Sequence, residues 1–145
     1  MEVKFDTVIV RFGGEIGVKS EWTRKSYENL ILRNIRKALT FHNVGFKEVL
    51  RYPGRIYIKT EMPIEASQKL IKVFGISSVS PALETASNLE DIEKKSLELA
   101  KEKLGENSKF AVRCRRVGSH PYTSMDVCRK VGQAILDKLA NLKVK

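Results

Sequence analysis

The sequence contains few of the residues that bind metals or form disulfides. Only two of its 145 residues are cysteines and two are histidines. Cys114 and Cys128 form no C-x-x-C pair, and His42 and His120 lie far apart, so the pattern predicts no metal site. Both thiols are expected to be small packing residues. The alternative is a redox role for Cys114, because its arginine neighbours favour the thiolate.

Long apolar runs and a signal peptide are also lacking. No apolar stretch approaches the ~20 residues that span a bilayer. The segment Met1–Asp6 has no basic region followed by an apolar core, which a secretory signal requires. We therefore expect a cytoplasmic protein with no membrane partner. Apolar residues make up 42% of the chain and charged residues 30%, a composition typical of folded proteins.

Negative charge is scarce towards both ends of the chain. Residues 1–60 hold 12 basic and 6 acidic side chains, and residues 109–145 hold 9 basic and 2 acidic ones. Residues 61–108 hold 6 basic and 9 acidic side chains, and the whole chain has a net charge of +10. Two positive segments around an acidic one favour a polyanionic partner, and nucleic acid fits best. The alternative is a protein that is merely basic overall.

Hydrophobic periodicity predicts six elements in the first part of the chain. Pro81 predicts that the last strand lies at a sheet edge. The order strand, helix, strand, strand, helix, strand is that of the ferredoxin-like fold, so we predict an α+β domain of this type over residues 1–86. The predicted elements are Thr7–Phe12, Trp22–Phe41, Lys47–Leu50, Arg55–Thr60, Ile64–Phe74 with Gly75 as its C-cap, and Val79–Thr85.

The remaining residues predict a helix, a strand and a second helix. The first helix begins near Leu89 and ends at Gly105, and the second begins at Thr123 or Ser124. Between them, residues 110–116 alternate in the manner of a strand with a basic face. Residues 143–145 look like the opening of a strand that is not completed within this sequence. We therefore predict an incomplete α/β domain over residues 87–145, whose exposed apolar face and sheet edge favour a homo-oligomer.

The loop Gly13–Ser20 (GGEIGVKS) invites comparison with phosphate-binding loops. Lys19 and Ser20 fit the pattern G-x-x-x-x-G-K-[ST], but Val18 replaces its second glycine, which argues against nucleotide hydrolysis. The match of residues 14–17 to the GXXG of KH domains is weak, because here a strand precedes it. We expect a turn whose amides and Lys19 contact an RNA phosphate. The alternative is a glycine-rich connector with a solvated lysine.

Basic side chains cluster on the exposed faces of the predicted elements. On the first helix Glu28 is the only internal acid, so its cations keep their field available to phosphate. On a strand Arg113 and Arg115 share one face, and no acid lies between Lys109 and Met125. The predicted RNA-binding residues of these two regions are Lys19, Arg24, Lys25, Arg33, Arg36, Lys37, Arg113, Arg115 and Arg116.

Two ring residues follow the arginines in a short turn that contains a proline. His120 and Tyr122 are expected to stack on the unpaired nucleotides of a nucleic acid. The alternative for Tyr122 is packing against the following helix. Arg129 and Lys130 lie on the polar side of that helix and are expected to extend the basic surface.

Two stretches resemble known families. Residues 10–20 (VRFGGEIGVKS), with the helix that carries Arg24 and the Asn29–Ile35 stretch, resemble the N-terminus of the tRNA 4-thiouridine synthetases (ThiI), also called thiamine-biosynthesis sulfurtransferases. Residues 110–117 (FAVRCRRV), 120–126 (HPYTSMD) and 131–135 (VGQAI) resemble the front half of a THUMP domain, an RNA-binding module of tRNA-modifying enzymes. The family usually has one glycine before the glutamate, whereas this chain has Gly13 and Gly14.

The resemblance implies a tRNA-binding portion that holds the acceptor stem for a catalytic domain absent from these residues. In the family that domain carries a Ser-Gly-Gly-x-Asp-Ser loop and a catalytic cysteine, and the THUMP domain is longer than residues 87–145. We therefore expect no catalytic residue and no cofactor here. The resemblance implies that the parent sulfurtransferase uses ATP and Mg and receives sulfur from a donor protein. In the family, sulfur transfer is shared with thiamine biosynthesis. The alternatives are a stand-alone THUMP adaptor for a separate enzyme and a ferredoxin-like interaction domain without RNA.

Overall fold

The chain divides into two compact units, and each is described by itself. The computed structural model describes residues 4–12, 21–52, 54–105, 109–115, 118–138 and 143–144. The first unit is Lys4–Glu84, and the second begins at Thr85. None of the helices in the described parts of the chain is both long and apolar enough to cross a membrane.

The first unit has the ferredoxin-like order of elements. These are β1 (Thr7–Phe12), α1 (Glu21–Phe41), β2 (Glu48–Tyr52), β3 (Arg55–Lys59), α2 (Pro63–Leu70) and β4 (Ile76–Ala82). The strands pair antiparallel in the order β2-β3-β1-β4. This topology confirms the predicted fold class. It also places β4 at an edge, as Pro81 predicted, because a proline has no amide to donate to a second neighbour.

The core of the first unit lies between the two helices and one face of the sheet. The residues of α1 that reach it recur every four positions, as one face of a 3.6-residue helix requires. The strand residues that reach it alternate, because successive side chains of a strand point to opposite faces. Its almost fully buried members are Val8, Val10, Ile31, Ile35, Leu39, Ile56, Ile58, Ala66 and Leu70.

The second helix ends four residues earlier than predicted. It stops at Leu70, and Phe74, the predicted last residue of the helix, is 79% exposed. Gly75 is therefore not the helix cap. It lies in the turn before β4 with φ +93°, and an added Cβ would meet Ile31 Cδ1 at 3.0 Å. The sharp turn into an edge strand needs this backbone conformation, which glycine alone adopts without strain.

The second unit contains α3 (Leu89–Lys103), β5 (Lys109–Phe110), α4 (Ser124–Lys138) and β6 (Lys143–Val144). Asn88 caps α3, since its Oδ1 accepts from the Asp91 amide at 2.8 Å. Thr123 caps α4, with its Oγ1 accepting from the Asp126 amide at 3.1 Å. The Asp126 carboxylate in turn accepts from the Thr123 amide at 2.8 Å, which completes a reciprocal cap.

One prediction about strands in the second unit is wrong. Of the described residues in the expected strand at 110–116, Phe110 alone pairs with a neighbour, and residues 111–115 have no regular structure. Residues 143–144 form a short strand, as predicted for the end of the sequence, and pair parallel with residues 109–110. A strand needs a neighbour for its backbone groups, and the part of the chain that the structure describes offers one only to residues 109–110.

Candidate nucleic-acid interface

Four cations of α1 form a stripe on the helix face that points away from the sheet. We call Lys25, Arg33, Arg36 and Lys37 the α1 stripe; all four are exposed. Arg33 and Lys37 lie opposite Ile31 and Ile35, which face the core, and Lys25 and Arg36 lie at the side of the same exposed surface. The stripe thus follows from one helical period, as the sequence predicted.

The acids near the α1 stripe neutralise little of it. Lys25 Nζ lies 3.7 Å from Glu21 Oε1, an exposed pair one turn apart, and such pairs are weak. Glu28 is buried, and its Oε2 lies 3.7 Å from Arg51 Nε on β2. Among the described residues, no carboxylate lies within ion-pair distance of Arg33, Arg36 or Lys37. The middle of the stripe therefore keeps its charge.

Two other predicted residues of this region do not join the stripe. Arg24 is only partly exposed and lies on the side of α1 that carries Glu28 and Ile31, four and seven residues further on. Lys19 and the loop Gly13–Ser20 lie outside the described residues. Their predicted contact with an RNA phosphate stays a prediction.

An exposed tryptophan lies on the same helix face and was missed by the sequence-based prediction. Trp22 is 78% exposed. Asn29 and Arg33 follow it at seven and eleven residues, a spacing that brings side chains to one helix face. An aromatic ring beside unpaired arginines provides a surface on which a nucleobase stacks. The sequence did contain a signal for this residue, because a helical wheel places Trp22 on the same face as Arg33.

In the second unit, the stretch of residues 110–115 exposes the side chains of two arginines. We call this stretch the arginine segment. Val112 and Cys114 pack against the core of the unit, whereas Arg113 and Arg115 are exposed. Val112 Cγ2 would lie 3.9 Å from a Cβ added to Gly132 of α4, so the glycine lets the segment lie close to this helix. The predicted alternation therefore holds without a regular strand.

The two described arginines of this segment are not neutralised by nearby acids. No carboxylate of the described residues lies within ion-pair distance of Arg113 or Arg115. Their guanidinium groups are therefore available to phosphate oxygens, which they bind in pairs of hydrogen bonds. Arg116 lies outside the described residues, and its predicted role stays a prediction.

The cysteine between these arginines is not activated. Burial raises the pKa of the Cys114 thiol, and the neighbouring Cys128 raises it further. Both cysteines are free thiols. A raised pKa lowers the thiolate fraction at neutral pH, which is the reverse of what a redox role needs. The structure thus favours packing over redox chemistry for Cys114.

His120 and Tyr122 stack on each other beside a cleft. Their ring centroids are 5.3 Å apart with planes inclined by 13°. Tyr122 is only 8% exposed, belongs to the core of the second unit and donates its hydroxyl to the Ser87 carbonyl. This placement favours the packing alternative for Tyr122. His120 remains partly exposed.

The cleft beside these rings has about the size of a small-ligand site. Its volume is about 550 Å³, and it is lined by residues 86–89 and 120–122. Clefts that hold small molecules measure roughly 300–1,000 Å³. The cleft thus has room for a small planar group, and the rings of His120 and Tyr122 line it.

Arg129 and Lys130 of α4 are exposed but already have acidic neighbours. Lys130 Nζ lies 3.8 Å from Glu93 Oε2 on α3. Arg129 helps to lower the pKa of Asp126, after the larger effect of the hydrogen bonds with Thr123. Both cations thus contribute less free positive charge than the arginine segment. No group of three or more His, Cys, Asp or Glu side chains that would hold a metal occurs among the described residues.

Two domain families match this chain. The ThiI ferredoxin-like domain matches residues 7–80, and the THUMP domain matches residues 86–145. A "Probable tRNA sulfurtransferase" of Thermococcus kodakarensis is 42% identical over 138 residues, which cover 92% of this chain and 36% of that protein. A protein of the same name from Methanosarcina acetivorans is 39% identical over 134 residues, and the match covers 92% of this chain and 32% of that protein. The chain thus spans about a third of the length of these curated relatives.

Two solved structures share the fold. The crystal structure of PH1313 from Pyrococcus horikoshii has a TM-score of 0.85 and 42% identity, and the match covers 97% of this chain and 47% of that one. The crystal structure of a 4-thiouridine synthetase–RNA complex with bound ATP has a TM-score of 0.77 and 28% identity, and the match covers 97% of this chain and 35% of that one. The two domain matches, the curated relatives and the solved structures all point to the same family. The chain therefore belongs to the ThiI family of tRNA sulfurtransferases.

Proposed function

We propose that this chain binds the acceptor stem of tRNA through the α1 stripe and the arginine segment. The observation that carries the proposal is a set of exposed arginines, Arg33, Arg36, Arg113 and Arg115, without carboxylate partners among the described residues. When exposed cations of the protein bind phosphates, they displace the counterions that are condensed on the nucleic acid. The release of these counterions drives binding.

RNA is the polyanion that fits these surfaces best. The cations are accompanied by an exposed Trp22 and by a cleft with His120 at its wall, and such rings stack on unpaired bases. One of the solved structures that share this fold is a complex of a 4-thiouridine synthetase with RNA. Side chains cannot read base edges in the deep, narrow major groove of an RNA helix. The stem is therefore recognised by its shape and phosphates, and the unpaired 3′ end by stacking.

We propose further that the bound tRNA is presented to a catalytic domain outside these 145 residues. That domain would use ATP and Mg and receive sulfur from a donor protein to form 4-thiouridine in the cytoplasm. Relatives about three times as long and a related complex with bound ATP support this part. Sequencing the reading frame beyond codon 145 tests it. A Ser-Gly-Gly-x-Asp-Ser loop supports the proposal, whereas a stop codon supports a stand-alone adaptor.

Filter binding of a tRNA transcript to Arg113→Glu/Arg115→Glu tests the tRNA proposal directly. We expect an affinity at least about tenfold lower and a salt dependence whose slope falls by about one for each phosphate that is no longer neutralised. The matched control is Lys94→Glu/Lys101→Glu, which makes the same charge change at two exposed lysines of α3.

Three outcomes contradict the proposal. The first is an affinity that does not change with salt, and the second is heparin binding as tight as tRNA binding. The third is an equal reduction of affinity in the arginine variant and the lysine control, because that result shows a response to net charge alone.

A further inference from the structure

One face of the sheet in the first unit is not covered by that unit's own helices. Val8, Val10, Ile56 and Ile58 point to the face that packs against α1 and α2. The alternate residues of the same strands therefore point to the opposite face. We call this side the open face.

The strand register brings two arginines together on the open face. Arg11 of β1 lies directly opposite Arg55 of β3, and Arg55 lies opposite Tyr52 of β2. Directly opposed Cβ atoms are about 4.5–5.5 Å apart, so the two side chains leave the sheet from neighbouring positions. Arg11 is held in place by β4, since its Nη1 donates to Ser80 Oγ at 2.9 Å and to Ser78 Oγ at 3.4 Å.

This arginine pair differs from a lysine on the same face, which is neutralised by acids. Lys59 lies opposite Glu48, and its Nζ is 3.5 Å from Glu48 Oε2 and 3.1 Å from Glu84 Oε2. Within the described residues, no carboxylate lies at ion-pair distance from Arg11 or Arg55. Like charges placed directly opposite destabilise a sheet. Among the described residues the pair therefore keeps a positive charge that can attract an anion.

Two tyrosines adjoin the arginine pair. Tyr57 lies two residues after Arg55, on the same face, and its ring centroid is 5.2 Å from that of Tyr52 with planes inclined by 76°. Tyr52 is about half exposed, and Tyr57 is partly exposed. Aromatic residues on the exposed face of a four-stranded sheet stack unpaired bases in one common class of RNA-binding module.

We propose that the open face binds single-stranded RNA, with Arg11 and Arg55 contacting its phosphates and an adjacent unpaired base on Tyr57. The inference rests on the tRNA binding proposed above and adds a binding surface apart from the α1 stripe and the arginine segment. A duplex is disfavoured, because its paired bases keep their faces stacked within the helix. Arginine forks bind phosphate oxygens in pairs of hydrogen bonds, and Arg11 and Arg55 each carry such a fork.

Photo-cross-linking locates the base. A short single-stranded RNA that carries iodouridine is irradiated with the full chain, and the cross-linked peptides are identified by mass spectrometry. We expect cross-links at Tyr57 or Tyr52. Cross-links at other sites with none in residues 52–59 overturn the inference, and this includes the case in which another part of the protein covers the open face.

Substitution of the arginine pair tests the phosphate contact. Arg11→Gln/Arg55→Gln is expected to bind the single-stranded RNA about tenfold more weakly. The slope of its salt dependence should fall by ~0.7 for each phosphate of the single strand that is no longer neutralised. The matched control, Lys94→Gln/Lys101→Gln, is expected to bind as the unsubstituted chain does. Equal affinities of the arginine variant and the control overturn the inference.

The melting temperature separates binding from a structural role. Arg55→Gln removes a like-charge repulsion, so the melting temperature at low salt is expected to stay constant or rise while RNA affinity falls. A lower melting temperature shows that the pair stabilises the sheet and overturns the inference. Tyr57→Phe should keep the RNA affinity, whereas Tyr57→Leu should abolish it, because stacking needs the ring and not the hydroxyl.

The two proposals fail in different ways. If Arg113→Glu/Arg115→Glu weakens tRNA binding while Arg11→Gln/Arg55→Gln binds both RNAs normally, the open-face inference is wrong and tRNA binding stands. If neither variant binds any RNA more weakly, both proposals are wrong.

Discussion

At the scale of single residues, Trp22 provides a direct optical probe of RNA binding. It is the only tryptophan of the chain and is largely exposed beside the α1 stripe. We expect its fluorescence to be quenched when tRNA binds, because a base that stacks on the indole changes its surroundings. Titration with tRNA measures this. Full binding by filter assay with unchanged fluorescence would show that RNA does not reach this face of α1.

The buried hydroxyl of Tyr122 allows a test between a packing role and a role in RNA stacking. Tyr122→Phe removes the hydrogen bond to the Ser87 carbonyl, so the free energy of unfolding should fall by about 1 kcal/mol and tRNA affinity should not change. Urea unfolding and filter binding measure the two quantities. His120→Ala is the matched comparison, with weaker tRNA binding and little change of stability expected. A Tyr122→Phe variant that binds tRNA more weakly at full stability would indicate direct contact with RNA.

At the scale of elements, the α1 stripe carries a prediction of its own. Arg33→Glu/Arg36→Glu should weaken tRNA binding and lower its salt dependence by about one unit of slope for each phosphate that is no longer neutralised. Helix content should remain, because both side chains are exposed and point away from the core. Circular dichroism checks the helix, and Lys94→Glu/Lys101→Glu is again the charge-matched control. An unaltered salt slope would exclude the stripe from the interface.

The N-terminus of α4 makes stability depend on pH. Hydrogen bonds with Thr123 lower the pKa of Asp126. A carboxyl with a lowered folded-state pKa stabilises the protein above its unfolded pKa of ~3.9, and this contribution disappears as pH falls through the folded value. Asp126→Asn should therefore unfold at lower urea than the unsubstituted chain at neutral pH, and the two midpoints should converge in acid. A difference in midpoint that does not depend on pH would contradict this.

At the scale of the whole molecule, exposed apolar surface leads us to expect self-association. Phe41 and Phe74 are about four-fifths exposed, and large apolar side chains in such positions often contact a partner. The short sheet of β5 and β6 adds strand edges that invite pairing. Multi-angle light scattering over a range of protein concentrations measures the mass. A monomer at every concentration would rule out the predicted homo-oligomer.

The sequence alone determined the features that depend on short-range periodicity. The order of elements in the first unit, the buried face of α1 and the opposed cationic stripe all follow from one helical or strand period. Gly54 has φ +76° in the turn between β2 and β3, a conformation that glycine adopts without strain. Family motifs identified both domains for the same reason, since they are local strings of residues.

Only the tertiary structure decided which strands have neighbours and which side chains meet across them. The end of α2 at Leu70, the irregular backbone after Phe110 and the pairing of residues 109–110 with 143–144 depend on partners distant in the chain. The same holds for Arg11 and Arg55, which are far apart in sequence and directly opposed in register. Periodicity assigns a side chain to a face of an element. Long-range packing decides which residues that face contacts. The reason is that backbone groups and charges need hydrogen-bond and ion-pair partners, which are distant in the sequence.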